Sequence, residues 1–200
     1  MNPRFLLSNI LQYSGANAVA TALRRNSLTV LCYHRVLDVG DPARSSVDPA
    51  LVTSSHVFER QMDIIARRFC PLSLGDTLRY LHLNLRLPPR AVLITFDDGV
   101  ADTYKNAFRV MKHRGIPGVV FLSTGFIGTG QRYWTDLVYE RVRAHLGSQR
   151  ASEEVEKLKS MPSSRRQLLL SNFAVEPESG GAVLPNLTWD QVEEMSLHGF

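Results

Sequence analysis

The sequence predicts an α/β protein built on parallel strands. Three observations carry that prediction. The largely apolar run AVLITF at 91–96 is followed by a helical period and then by a second β-favouring run, GVVFLS at 118–123. Residues 91–123 therefore read as strand, helix, strand at the length of a parallel crossover. An earlier run, LTVLCY at 28–33, has the same buried-strand character and empties into a polar loop. Finally, 200 residues with 44% hydrophobic and 21% charged content lie in the ordinary globular range and can bury a sizeable core.

Residues 1–27 read as a helical extension. Phe5, Leu6, Ile10, Leu11, Val19 and Leu23 mark short amphipathic helices broken near Gly15, while Ser8, Asn9 and Gln12 interrupt any continuous apolar stretch. The segment is too polar to span a bilayer and makes a poor signal peptide, so a cytoplasmic or membrane-associated location is expected. Its apolar stripe could touch a membrane surface peripherally or pack on the rest of the protein.

The domain itself is expected over 28–200. After the strand at 28–33 come His34-Arg35 and a loop rich in Asp, Pro, Ser and Gly through Pro49. Ser54 or Ser55 can cap a helix with Phe58, Met62, Ile65, Ala66 and Phe69 at helical spacing, ending before Pro71. A short helix starts near Asp76, and Pro88-Pro89 breaks the chain ahead of the 91–96 strand. In the crossover helix Tyr104, Ala107, Phe108, Val110 and Met111 share a face, and Gly115 stops it. Beyond the glycine-punctuated TGFIGTGQ, Thr135 can cap a helix through Leu146. Residues 151–184 form a polar excursion with short helices around EEVEKLKS and SSRRQLLLSNF. Thr188 with Gln191 makes a capping box, and His198-Gly199 ends that last helix.

A net charge of +4 and a pI near 9.3 are a small excess. The pairs Arg24-Arg25, Arg67-Arg68 and Arg165-Arg166 are scattered rather than collected in one tract, so they read as solvated faces and no nucleic-acid partner is expected. Cys32 and Cys70 lie in or beside apolar runs and read as small buried hydrophobes. Neither belongs to a CxxC pair, so thiolate metal ligation is not indicated.

The sharpest chemical signal is Thr95-Phe96-Asp97-Asp98-Gly99 at the end of the 91–96 strand. Adjacent carboxylates are costly to bury without compensation, and the C-terminal ends of parallel strands are where barrel enzymes gather catalytic groups. Gly99 can take torsions that turn both carboxylates into one cleft. Asp-Asp-Gly is equally the composition of an ordinary turn, with an Asp capping the helix near Asp102. His34 also ends a β-favouring run, so Asp97, Asp98 and His34 are expected to converge on one rim. Tyr133, Trp134 and Asp136 follow the glycine-rich loop. Trp134 can stack on a sugar face or serve as packing, and His34 can act in the site or be satisfied by loop backbone. His56, His82, His113 and His145 fall on predicted helices as surface or packing residues.

Five segments in order, LTVLCYHRV, FERQMDII, PLSL, LPPRAVLITFDDG and GIPGVVFLSTGFIG, resemble the polysaccharide deacetylase family that shares the NodB homology domain. The resemblance runs over 28–140 and again, more weakly, over 187–200. It implies a distorted (β/α) barrel and a metal-dependent hydrolase that removes N-acetyl groups from a polysaccharide or oligosaccharide. Asp97 is then the general base, Asp98 the ligand of a divalent metal, usually Zn²⁺, and His34 and Trp134 line or support the substrate site. The family completes its metal site with a His-x-x-x-His-like segment. The six histidines here are at least 22 residues apart, so the resemblance implies a domain incomplete at its C-terminus, with impaired activity. A non-catalytic relative that binds glycan or assists assembly is the alternative. A two-carboxylate phosphohydrolase is a further rival, but no phosphate-cradling glycine motif accompanies TFDDG.

Overall fold

The computed structural model describes residues 26–171 and 185–200. Residues 1–25 of the helical extension expected over 1–27, and residues 172–184 at the end of the polar excursion, lie outside the described residues. In chain order the elements begin with β1 (Thr29–Tyr33), β2 (Arg35–Leu37), β3 (Val52–Ser54) and α1 (Ser55–Arg68). They continue with β4 (Cys70–Pro71), α2 (Leu74–His82) and β5 (Ala91–Phe96). A π-helical segment, Thr103–Phe108, then runs into α3 (Arg109–His113). Last come β6 (Val119–Val120), α4 (Trp134–Lys159), α5 (Ser163–Ser171) and α6 (Trp189–Leu197).

β5 is the centre of a parallel sheet, and all six of its residues are buried, as a continuous apolar run requires when both faces are covered. It pairs with β1 along its length, from Thr29 opposite Val92 to Tyr33 opposite Phe96. β4 joins its start and β6 its end, on the edge away from β1. β5 and β6 are the crossover pair expected from 91–123. β6 is shorter than the expected run: beyond Phe121, whose amide donates to Phe96 O, β5 has ended, and the Ser123 amide bonds to Asp98 O instead. The region expected as loop before Pro49 contains β2, which pairs in parallel with β3. Three-residue strands are too short to leave an alternation in sequence.

α1 starts where Ser54 Oγ accepts from the Val57 amide, and it buries Phe58, Met62 and Ile65. Phe69 was expected on that face but is 38% exposed, because the helix ends at Arg68 and Phe69 has extended torsions. α2 begins two residues earlier than expected, capped by Ser73 Oγ on the Asp76 amide. Tyr133, without a side-chain cap, starts α4, so Thr135 lies in the first turn rather than at the cap. Gly147, at φ 82°, breaks α4 one residue beyond the expected end at Leu146. The Thr188–Gln191 capping box on α6 is present with both of its bonds, and Gly115 takes the positive φ of a helix stop.

The main core lies between β1, β5, α1 and the crossover helix, with Tyr33, Phe58, Phe96, Met62, Ile94 and Met111 at its centre. A second cluster gathers Val138, Tyr139, Ala151, Val155 and Leu158 of α4, with Leu169 and Leu170 of α5 packed against them. No helix among the described residues is long and apolar enough to cross a membrane.

Candidate functional site

Strand parity builds the site. Tyr33 and Phe96, paired across β1 and β5, turn into the core, their rings stacked at 5.6 Å with Phe58 edge-on to Tyr33 at 5.0 Å. Side chains alternate along a strand, so Cys32 and His34 on one side, and Asp97 on the other, turn toward the opposite face. There the Cys32 thiol donates to Asp97 Oδ2 at 3.4 Å, and His34 Nε2 lies 3.4 Å from the same oxygen. One donor atom from each of the three lies within 4.8 Å of the others. The reading of Cys32 as a buried hydrophobe is therefore corrected: it is exposed and faces the site. A run whose one polar residue is Thr29 carries no alternation that could have fixed its phase. Desolvation of the sulfur, with the Asp97 carboxylate beside it, pushes the Cys32 thiol up, against a hydrogen bond with Thr95.

Asp98 follows in the left-handed region, at φ 74°, a conformation that costs a non-glycine residue on the order of 1 kcal/mol. Two bonds to its carbonyl hold it there, from the Tyr133 hydroxyl at 2.8 Å and the Ser123 amide at 3.2 Å. Gly99 takes φ 79°, and a Cβ there would come within 2.9 Å of Leu122 Cδ2 and 3.1 Å of Ile127 Cδ1, so both torsion and space require glycine. Burial pushes the Asp98 carboxyl up, while the charge of His34 opposes the shift. Of the residues expected to converge, His34 and Asp97 meet directly on this rim. The three-donor group contains Asp97 and Cys32, and Asp98 is coupled to it electrostatically.

The next residue, Arg35, belongs to a second polar cluster. Arg35 Nε donates to Asp102 Oδ2 at 2.6 Å, the Val36 amide donates to Asp102 Oδ1 at 2.8 Å, and Arg35 Nη1 is 3.6 Å from Asp136. Burial pushes the Asp102 carboxyl up against the pull of Arg35. Asp136 is pushed up to about 6 by burial, opposed by Arg35 and Arg132. Arg35, Tyr133, Asp136 and Asn186 border a cavity of about 110 Å³ beside the site. Sequence reasoning missed the Arg35–Asp102 pair. The two residues are 67 positions apart, and the one available signal was an arginine separated by one residue from the end of a β-favouring run.

Trp134 packs against the α4–α5 cluster, with the Arg166 guanidinium 5.1 Å from its ring centre. The stacked aromatic pair nearer Asp98 is Phe126 with Tyr133, at 4.5 Å. His56, His82, His113 and His145 are all exposed on helices, as expected. A carboxylate held against an imidazole on an open rim can accept a proton from water. The nitrogen, oxygen and sulfur donors around it suit a borderline divalent cation.

Residues 84–199, more than half the chain, match the family model for polysaccharide deacetylase. Among solved structures, a de-N-acetylase from Aggregatibacter actinomycetemcomitans aligns at 19% identity and a TM-score of 0.49, covering 86% of this chain and 51% of that one. IcaB from Ammonifex degensii aligns at 22% and 0.46, covering 88% and 82%. The Streptococcus pyogenes deacetylase PplD aligns at 14% and 0.45, also covering 88% and 82%. The chain spans about half the length of the first of these. None of the curated proteins matches it.

Proposed function

Because the chain belongs to the polysaccharide deacetylase family, we propose that it hydrolyses acetamido groups on an N-acetylated polysaccharide or oligosaccharide. The products are acetate and the free amine. The observation that carries this reading is the contact of His34 with Asp97 at 3.4 Å, next to Asp98, at the C-terminal ends of two neighbouring parallel strands. Asp97 is the general base: it takes a proton from the attacking water and returns it to the amine as the C–N bond breaks. His34, on the same carboxylate oxygen, orients that carboxylate toward the water. Asp98 is the proposed protein ligand of a divalent cation, zinc on the family resemblance; its carboxylate is a donor that zinc accepts. When bound, the ion supplies charge stabilisation at the acetamide oxygen as the carbonyl becomes tetrahedral. Trp134 supports the start of α4, next to the Tyr133 hydroxyl that holds Asp98 in place. The domain belongs, in this reading, to a distorted (β/α) barrel over 28–200, preceded by a separate N-terminal extension over 1–27.

Acetate release from chito-oligosaccharides and from a longer N-acetylated glycan tests the proposal, using the full-length protein. Release that is abolished in Asp97→Asn is the expected result. Glycan binding with no release in the unaltered protein would instead support the non-catalytic reading.

A further inference from the structure

The rim also carries a three-donor set in which the proposed assignment gives Asp97 and His34 roles other than metal ligation and gives Cys32 none. Cys32 Sγ and His34 Nε2 both lie 3.4 Å from Asp97 Oδ2, and one donor atom of each residue lies within 4.8 Å of the others. Ligands on a tetrahedral zinc-like ion, at ordinary bond lengths, stand about 3.4 Å apart for a nitrogen–oxygen pair and about 3.6 Å for a sulfur–oxygen pair. Two of the three edges already have those lengths, before any ion is considered. The backbone fixes them: Cys32 and His34 are two residues apart along the end of β1, on the face opposite Tyr33, and Asp97 follows the residue paired with Tyr33.

We propose that Cys32, His34 and Asp97 form a thiolate-containing site for a thiophilic divalent cation such as Cd²⁺, Co²⁺ or excess Zn²⁺, distinct from the ion assigned to Asp98. A thiolate, an imidazole and a carboxylate together select borderline and soft ions over Mg²⁺ or Ca²⁺. Binding displaces the thiol proton to solvent and leaves a position open for water or an added anion. It also occupies Asp97 Oδ2, so an ion there withdraws the proposed general base. That consequence rests on the deacetylase reading, whereas the binding site does not.

The test is Co²⁺ titration of the full-length protein, followed by the thiolate-to-cobalt charge-transfer absorption. The band is expected in the unaltered protein, in Cys70→Ser and in Asp98→Asn, and it should vanish in Cys32→Ser. Cobalt affinity in Cys32→Ser should fall by at least the roughly 10-fold that loss of even an outer-sphere partner costs. A band that persists in Cys32→Ser, or none in the unaltered protein, overturns the site. Added Cd²⁺ should suppress acetate release in the unaltered protein much more than in Cys32→Ser, and equal suppression in both would overturn the withdrawal of the base. A protein that shows the cobalt band but releases no acetate from any glycan refutes the deacetylase reading and leaves the site standing.

Discussion

His34 and Arg35 are consecutive in the chain, yet they belong to clusters built in opposite ways. His34 meets Asp97 at 3.4 Å with both side chains 34% exposed, and the shared oxygen also faces a thiol. Arg35 meets Asp102 at 2.6 Å with the two side chains 12% and 7% exposed, and the second Asp102 oxygen accepts from the Val36 amide. The outer cluster leaves donors and acceptors directed at solvent, where a substrate or ion can use them. The inner one is closed, and a closed buried pair fixes geometry rather than performing chemistry. Asp102 ties β2 to the start of the crossover helix, so the loop carrying His34 is held from below.

The comparison can be broken from either side. The largest effect is expected in the outer cluster: Asp97→Asn should lower acetate release by about 10²- to 10⁴-fold, the usual cost of losing a general base. Its melting temperature should stay near that of the unaltered protein, since an exposed contact contributes little to stability. A large fall in melting temperature would show that the outer cluster is structural.

Asp102→Ala should do the reverse, costing about 3–5 kcal/mol of unfolding free energy in a denaturant titration because it removes the hydrogen-bonded partner of buried Arg35, leaving only the looser Asp136 contact, and the acceptor of the Val36 amide. A loss below about 1 kcal/mol, the scale of a surface ion pair, would erase the distinction between the clusters.

Asp136 sharpens it through pH. Its carboxyl is pushed up to about 6 from an ordinary value of 3.8, so between those values the folded state holds a proton that the unfolded chain has released. Stability from this group is therefore fully present below pH 4 and lost as pH rises through 6, by an amount on the order of 3 kcal/mol. Melting curves of Asp136→Asn against the unaltered protein should show the variant gaining relative stability across that window. A constant difference from pH 4 to 7 would mean that Asp136 titrates normally.

The smallest effect is Tyr133→Phe, which removes the bond to Asp98 O but keeps the ring stacked on Phe126. It should cost about 1 kcal/mol in thermal unfolding.

Local features were legible in the sequence because their physics is local. The six-residue span of β5 follows from one β-favouring, largely apolar run, and the α6 capping box from two residues three positions apart. The stop at Gly115 follows from a single residue that tolerates positive φ. Gly99 and the paired aspartates could likewise be placed at the end of a strand, since the TFDDG segment carries its own turn. What the sequence could not decide was phase and partnership. LTVLCY has a single polar residue, Thr29, and no polar–apolar alternation, so nothing in it separates a core-facing Tyr33 from a site-facing Cys32. Only the register against β5, with Tyr33 opposite Phe96 and both rings packed under Phe58, settles that alternation. The Arg35–Asp102 bond joins residues 67 apart, and no local pattern encodes a contact that exists only once the crossover helix has folded back against β2. Short-range hydrogen bonds and torsional preferences are written into neighbouring residues, whereas the faces of a buried strand and the partners of a buried charge are fixed by the packing of distant ones.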